Sequence, residues 1–371
     1  MNGMSKQVSL YCAGDILLRP HTRSSIFARA AATLHEPDVL FGHMDFVASS
    51  KAPQMHISGG RPSAPRSVAA LKKAGFNVIS FASNHGLDYG ENCFLDSLDL
   101  LAGNGISVIG AGRNIAEARR PAIIERKGAR IAFLGYCSVV PKGYEAKANK
   151  AGLAPMRAYT SYQQIDWQAG MPPRVLSWAD KQDLDAMIAD IRKARAMADI
   201  LVLSMHWGLH YVPSTIAMYQ KELAYAAIDA GADLILGHHP LLLKGIEIYK
   251  GKVIFYGLGN FAVDSRPVEM VRNDDSLWKL LQWEMDPGPP DYAYPLVSRK
   301  AVLAKCLISD KKVSRVSYLP VIANKQLQPE VLSGSDRRSA EVIEYVGQIC
   351  KDQHLETQFS REGDEVLITG N

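Results

Sequence analysis

Five short apolar runs in this chain each stop at a residue able to bind a metal ion or carry a proton. Val8–Gly14 ends in Asp15, Val39–Gly42 in His43 and Asp45, Val78–Ala82 in Asn84 and His85, and Ile200–Ser204 in His206. The fifth, Leu234–Leu236, breaks into Gly237-His238-His239-Pro240. Apolar runs of this length between turn signals suit buried strands. Two adjacent imidazoles at such an end would lie in a crevice rather than in the sheet. Open α/β sheets place their sites at those ends. Past the histidine pair, residues 245–261 alternate as a hairpin turning at Lys250-Gly251 and return another polar residue, Asn260.

Between the runs lie segments with helical signals: Ser24–Leu34, Arg66–Ala74, Glu91–Ala102, Trp178–Met197 and Thr215–Asp229. Alternating β and α elements with short links imply an α/β fold, its parallel or mixed sheet covered on both faces. Further hairpins are expected at Lys127-Gly128 and at Asp310-Lys311-Lys312. The pattern stops over 138–178, a length usually functional when ordered, and this segment reads as a lid over the site. Residues 265–295 are also irregular. The chain thus divides into one domain over 7–325 and a C-terminal part, 326–371, with a helix at Ser335–Cys350 and a weakly patterned tail.

At 371 residues, 47% hydrophobic and 22% charged, the chain has the make-up of an ordinary globular protein with a large core. A net charge of +4, with no Lys/Arg run interleaved with aromatics, gives no nucleic-acid footprint. Five cysteines without CxxC or regular spacing favour a reducing compartment. Without a signal-peptide core near Met1, or an apolar run long enough to span a bilayer, the expected location is cytoplasmic. Oligomeric state is not legible.

Asp15, Asp45, Asn84, His206, His238 and His239 form an N/O donor set without thiolate, which suits Mn, Fe or Zn. Two ions bridged by one carboxylate would lower the pKa of a shared water and clamp both sides of an in-line displacement. Singly, each signal is weak: Gly-Asp after a strand is mostly a turn, and Asn-His can be turn chemistry. Their recurrence in five strand ends carries the reading.

The stretches SFASNHGLDYG, SMHWGLHY and GADLILGHHPLLLKGIEIYKGKVIFYGLGNF resemble the motifs of the CapA family of capsule and poly-γ-glutamate biosynthesis proteins, which is related to the calcineurin-like metallophosphoesterases. The likeness covers Ser9–Phe261 and continues weakly through Ala301–Ile322. It implies a four-layer α/β/β/α metallophosphoesterase-like sandwich with mixed sheets and a two-metal site at the strand ends. It further implies Asp15 as a ligand of the first metal, Asp45 as the bridging carboxylate, and Asn84, His206 and His238 or His239 on the second. His85 would be the general acid, and Asn260 would contact substrate or orient a ligand. Where the family has a histidine two residues beyond His239, this chain has Leu241, and it carries His43 and His210 where the family has other residues. One of these imidazoles is expected to compensate.

His43, His210, Lys244 and Asn260 are the candidate substrate contacts. Arg61, Arg66, Lys142, Arg157 and Arg174 are further cations for an anion, and Tyr159, Tyr162 and Trp167 are lid aromatics. The resulting expectation is a metal-dependent hydrolase acting on a phosphoester or an amide or glutamyl bond of a small-molecule or polyglutamate-like anionic substrate. The alternatives are a poly-γ-glutamate or capsule assembly protein without turnover, and a binding module whose centre is degraded at Leu241.

Overall fold

The computed structural model describes residues 7–57, 60–168, 170–264 and 294–370. Most of the irregular segment 265–295 therefore lies outside the described residues. Two sheets dominate. The larger has ten strands, and its central strand, Val8–Leu17, pairs in parallel with Val39–Met44 and with Asn260–Val263. Val78–Ser80 and Ser107–Ile109 extend it in parallel on one side. On the other side Lys300–Ser309 and Lys312–Ala323 continue it antiparallel. The second sheet has six strands, with Ala129–Cys137, Ile200–His206, Leu234–His238 and Lys252–Phe255 parallel at its centre.

The sheets pack face to face because alternate residues of each buried strand point to opposite sides. Leu10 and Cys12 join the core shared with the second sheet, while Tyr11 and Ala13 join the core beneath the outer helices. Phe41 and Phe133 stack across the inter-sheet layer at 5.9 Å between ring centroids. Arg66–Lys73 and Glu91–Gly103 cover the first sheet through Val68, Leu71, Phe94 and Leu101. Lys181–Arg195 and Met218–Ala230 cover the second through Met187, Ile191, Leu223 and Ala227. The architecture is the expected α/β/β/α sandwich with mixed sheets.

All three expected hairpins form. Lys127, Lys250, Asp310 and Lys311 adopt positive φ at their turns, the conformation that matches strand twist. Two local expectations differ. Ser24–Leu34 is not one helix but a 3-10 turn, Ser24–Phe27, and a single α-turn, Ala31–Leu34. Neither piece has a capping side chain, so nothing satisfies the first amides of a longer helix. The unpatterned tail forms a hairpin, Gln358–Glu362 with Glu365–Thr369, that adds to the larger sheet beside Lys312–Ala323. Helix Arg337–Asp352 packs its Val342, Val346 and Ile349 into the core common to both sheets. Among the described residues no helix is long and apolar enough to cross a membrane.

Candidate metal centre

Strand register brings the polar ends together. Asp15 lies beside His43 on one side and Asn260 on the other, and His206 lies beside His238. Since the sheets face one another, their parallel strands deliver these side chains to one rim. Asp15 Oδ1 is 3.4 Å from His238 Nδ1 and 4.0 Å from His43 Nε2. Next to this group, His206 Nε2 lies 2.7 Å from Asn84 Oδ1, 3.1 Å from His239 Nδ1 and 3.9 Å from Asp45 Oδ1. His43 joins the two groups, its ring stacked 4.6 Å from His206 and 4.4 Å from His238. Expected as a substrate contact, His43 is instead fully buried inside the cluster. Asp15, His43 and His206 can each offer a ligand atom within 4.8 Å of the others.

The turn after Leu234–His238 is conformationally costly. His239 has φ +94° and Leu241 φ +58°, a region that side chains with a Cβ rarely occupy and that costs roughly 1–3 kcal/mol per residue. The geometry aims the His239 amide at Asp15 Oδ2, 3.1 Å away. It also places Leu241, which stands where the resembled family has a histidine, in an apolar group with Leu17, Tyr211 and Tyr294.

Burial sets the charge state. It pulls His43 down to about 4 and His238 to about 3, and His206 and His239 lie well below the usual imidazole value. It pushes Asp15 up to about 6 and raises Asp45. At neutral pH these imidazoles are neutral and keep lone pairs. Asp15 Oδ1, both ring nitrogens of His43 and His238, and His206 Nδ1 make no hydrogen bond among the described residues. A buried polar atom left so costs about 1–3 kcal/mol. The Asp15 carboxylate and the three neutral imidazoles of His43, His206 and His238, with their unused lone pairs, fit a divalent cation, since N/O donors of this kind suit Mn, Fe or Zn.

A cleft of about 420 Å³ adjoins the cluster, lined among others by Asp45, Asn84, His85, His210 and Tyr89. His85 Nδ1 donates to Asp88 Oδ2 at 2.7 Å, and Tyr144 donates to Asp88 Oδ1 at 3.0 Å. Burial pulls the His85 imidazole down, but Asp88 and the nearby Asp45 more than offset it and leave the ring above its usual value. The Ser83 hydroxyl donates to Asp45 Oδ1. His210 stacks on His239 at 3.8 Å.

Other sequence candidates stand apart. The Lys244 ammonium donates to the carbonyls of Val212, Pro213 and Thr215. Arg66 donates to the Pro20 carbonyl, and Arg157 pairs with Asp183 at 2.7 Å. Of the segment 138–178, Pro141 and Tyr144 line the cleft. Its hairpin, Ala158–Gln163 with Arg174–Ala179, runs instead against helix Met218–Ala230. Arg174 and Lys142 are exposed, and Tyr159 lies against Trp178. Tyr162 is 73% exposed and Trp167 86%, so neither covers the site. Sequence reasoning missed Arg19, Asp88 and Tyr144. Asp88 had a signal, its place three residues after His85, whereas Tyr144 had none.

Among curated proteins, the chain is 36% identical over 199 residues to the PGA biosynthesis protein CapA of Bacillus subtilis, covering 53% of this chain and 45% of that protein. It is 27% identical over 276 residues to the capsule biosynthesis protein CapA of Bacillus anthracis, covering 70% and 61%. A probable polyglutamine synthesis accessory protein of Mycobacterium tuberculosis is 31% identical over 204 residues, covering 54% and 48%. The chain thus spans about half the length of the curated relatives it matches. Among solved structures, a hypothetical protein from Thermus thermophilus aligns at TM-score 0.45 and 13% identity, covering 84% of this chain and 98% of that one. The NAD nucleotidase of Haemophilus influenzae aligns at TM-score 0.40 and 13% identity, covering 95% and 67%. The model of the bacterial capsule synthesis protein PGA_cap family matches residues 9–265, which carry every donor of the cluster, and the chain belongs to that family.

Proposed function

We propose that this protein is a metal-dependent hydrolase acting on a phosphoester, or an amide or glutamyl bond, of a small anionic or polyglutamate-like substrate. One observation carries the reading: buried Asp15 and the imidazoles of His43, His206 and His238 converge with unused lone pairs beside a cleft. Asp15, His43 and His238 would hold one divalent cation, Mn, Fe or Zn. Asp45, Asn84, His206 and His239 would hold a second. Bound there, the cations would supply Lewis-acid polarisation of the scissile group and acidify a water molecule.

The protein's own groups do the remaining work. Ser83 fixes the Asp45 carboxylate at the edge of the cleft. His85 gives a proton to the leaving group from Nε2, because Nδ1 is committed to Asp88. Asp88, held in turn by Tyr144, keeps that ring oriented and favours its protonated form. His210, stacked on His239, narrows the access of solvent to the second group of donors.

The test is a metal count on protein produced with Mn, Fe and Zn supplied, followed by assays on a generic phosphodiester and on γ-glutamyl oligomers. Bound metal, with turnover that Asp15→Asn and His206→Ala abolish, is the expected result. A second reading, an assembly protein of polyglutamate synthesis without turnover, is favoured by the relatives' names, which describe biosynthesis and accessory proteins. Bound metal with no turnover on either substrate class would support that reading instead. Protein free of metal under these conditions would reject the hydrolase.

A further inference from the structure

Two arginines in the cleft have no acidic partner among the described residues. Arg19 and Arg61 line it together with Asp45, Asn84 and His85. Several other arginines are matched: Arg119 lies 2.5 Å from Asp190, Arg157 2.7 Å from Asp183, Arg195 2.6 Å from Asp233 and Arg338 2.7 Å from Asp336. Among the described residues no carboxylate lies within ion-pair reach of Arg19 or Arg61, and the buried Arg19 Nε makes no hydrogen bond.

Arg19 is also placed rather than loose. It follows the strand that carries Asp15, and its backbone is fixed by a turn. Its amide donates to Thr22 Oγ1 at 2.7 Å, its carbonyl accepts from the Thr22 amide at 2.9 Å, and the Thr22 hydroxyl donates to Asp264 at 2.9 Å. The charge of Arg19 bears on both His85 and Tyr89, so the guanidinium lies on the His85 side of the cleft. A guanidinium lining a cleft, its Nε buried and without a hydrogen bond and with no counter-ion among the described residues, is unfavourable until an anion arrives.

We propose that Arg19, with Arg61 at the exposed edge, binds an oxyanion of the substrate other than the group that reacts at the metal centre. This rests on the hydrolase reading above. The planar guanidinium fork matches a carboxylate or a phosphate in bidentate fashion, so the substrate carries an anionic group flanking the scissile bond. In a γ-linked glutamate chain that group is the free α-carboxylate of a neighbouring residue. In a phosphorylated substrate it is a second phosphate.

The test is calorimetric titration of metal-loaded protein with tri-γ-glutamate, with its α-carboxamide analogue, which lacks those negative charges, and with inorganic phosphate. Wild type, Arg19→Ala, Arg19→Lys and Arg61→Ala are compared, with metal content and melting temperature measured on each. Wild type should bind tri-γ-glutamate or phosphate at least tenfold more tightly than the analogue. Arg19→Ala should lose about 10- to 100-fold for that anion with metal content unchanged, and Arg19→Lys should recover part of the loss. Which anion depends on Arg19 identifies the carboxylate or the phosphate source. Equal binding of charged and uncharged ligands, no binding of either anion, or unchanged affinity in a folded Arg19→Ala protein would overturn the subsite. Loss of metal or turnover in wild type, by contrast, sinks the hydrolase reading, so the two failures are distinguishable.

Discussion

Asp88 accepts a 2.7 Å hydrogen bond from His85 Nδ1, across a single turn of chain, while Tyr144 donates to its other oxygen at 3.0 Å. The carboxylate raises the imidazole above its usual value although burial works against it. In the hydrolase proposed above, His85 acts as general acid while protonated, so activity should fall as pH rises through that pKa. Asp88→Asn removes the charge, lowers the pKa and moves the decline to lower pH. With general acid catalysis contributing ~10²–10⁴-fold, we expect kcat to fall by about 10- to 100-fold, KM and metal content to change little, and Tyr144→Phe to cost a few-fold. A pH–rate profile of Asp88→Asn identical to wild type would remove Asp88 from this role.

The metal-free protein should be sensitive to mild acid. His43 and His238 are held at about 4 and 3, below the unfolded value near 6.5, and His206 and His239 are also depressed. Their neutral forms match the fold, so the stability they contribute is present above 6.5 and is lost as pH falls toward their folded values. For His43 alone this is roughly 3 kcal/mol, at about 1.4 kcal/mol per unit. Asp15, pushed up to about 6, and the raised Asp45 act in the opposite sense, because acid relieves a buried carboxylate. Four depressed imidazoles outweigh two raised carboxylates. Melting of EDTA-treated protein should therefore drop by several degrees between pH 7.5 and pH 5. An equal or higher melting temperature at pH 5 contradicts the assignment.

The strand ends were legible because buried parallel strands read as unbroken apolar runs, and the residue that ends one stands out against them. Asp15, Asn84, His206 and His239 meet as that grammar implies, and the positive-φ hairpins were signalled by Lys-Gly and Asp-Lys pairs. What the runs do not encode is where one sheet sits over the other. That placement drives His43 between His206 and His238, and turns Lys244 away from the cleft toward main-chain carbonyls. Arg19 carried no local signal, since its meaning comes from a cleft built by residues up to Tyr294. The tail strands were equally silent: their pattern is short, and their pairing partner lies some fifty residues away at Ser317.

Lys244 is a structural cation. It is 2% exposed, and burial lowers its ammonium to about 7, yet it faces three carbonyls, of which Thr215 O is 3.2 Å away. Lys244→Met keeps most of the volume and leaves those carbonyls without their donor. An unsatisfied buried acceptor costs about 1–3 kcal/mol, and removal of a buried charge offsets part of the sum. We expect a net loss of about 2 kcal/mol in urea denaturation. Loosening of the loop that carries His210 should accompany it, read as weaker protection of the 209–217 amides in hydrogen exchange. Wild-type stability together with wild-type exchange would show that the lysine holds nothing.

Two glycines set the depth at which the ligand-bearing strands approach their neighbours. A Cβ on Gly14 would stand 2.1 Å from the Gly259 carbonyl oxygen, and one on Gly237 2.2 Å from that of Tyr256. Both obstacles are backbone, so neither can swing aside, and forced overpacking costs about 1–3 kcal/mol. Gly14 precedes Asp15 and Gly237 precedes His238, so the displacement falls on the cluster itself. Gly14→Ala and Gly237→Ala should each lower stability by that amount and reduce metal occupancy at a fixed metal concentration. Gly103, at the end of its helix with nothing within 4 Å of a built Cβ, provides the control. Gly103→Ala should be neutral or up to about 1 kcal/mol stabilising, because it lowers only the entropy of the unfolded chain. If Gly14→Ala bound metal with wild-type stoichiometry and affinity, the close approach of Val8–Leu17 to Gly259 would not be what sets the position of Asp15.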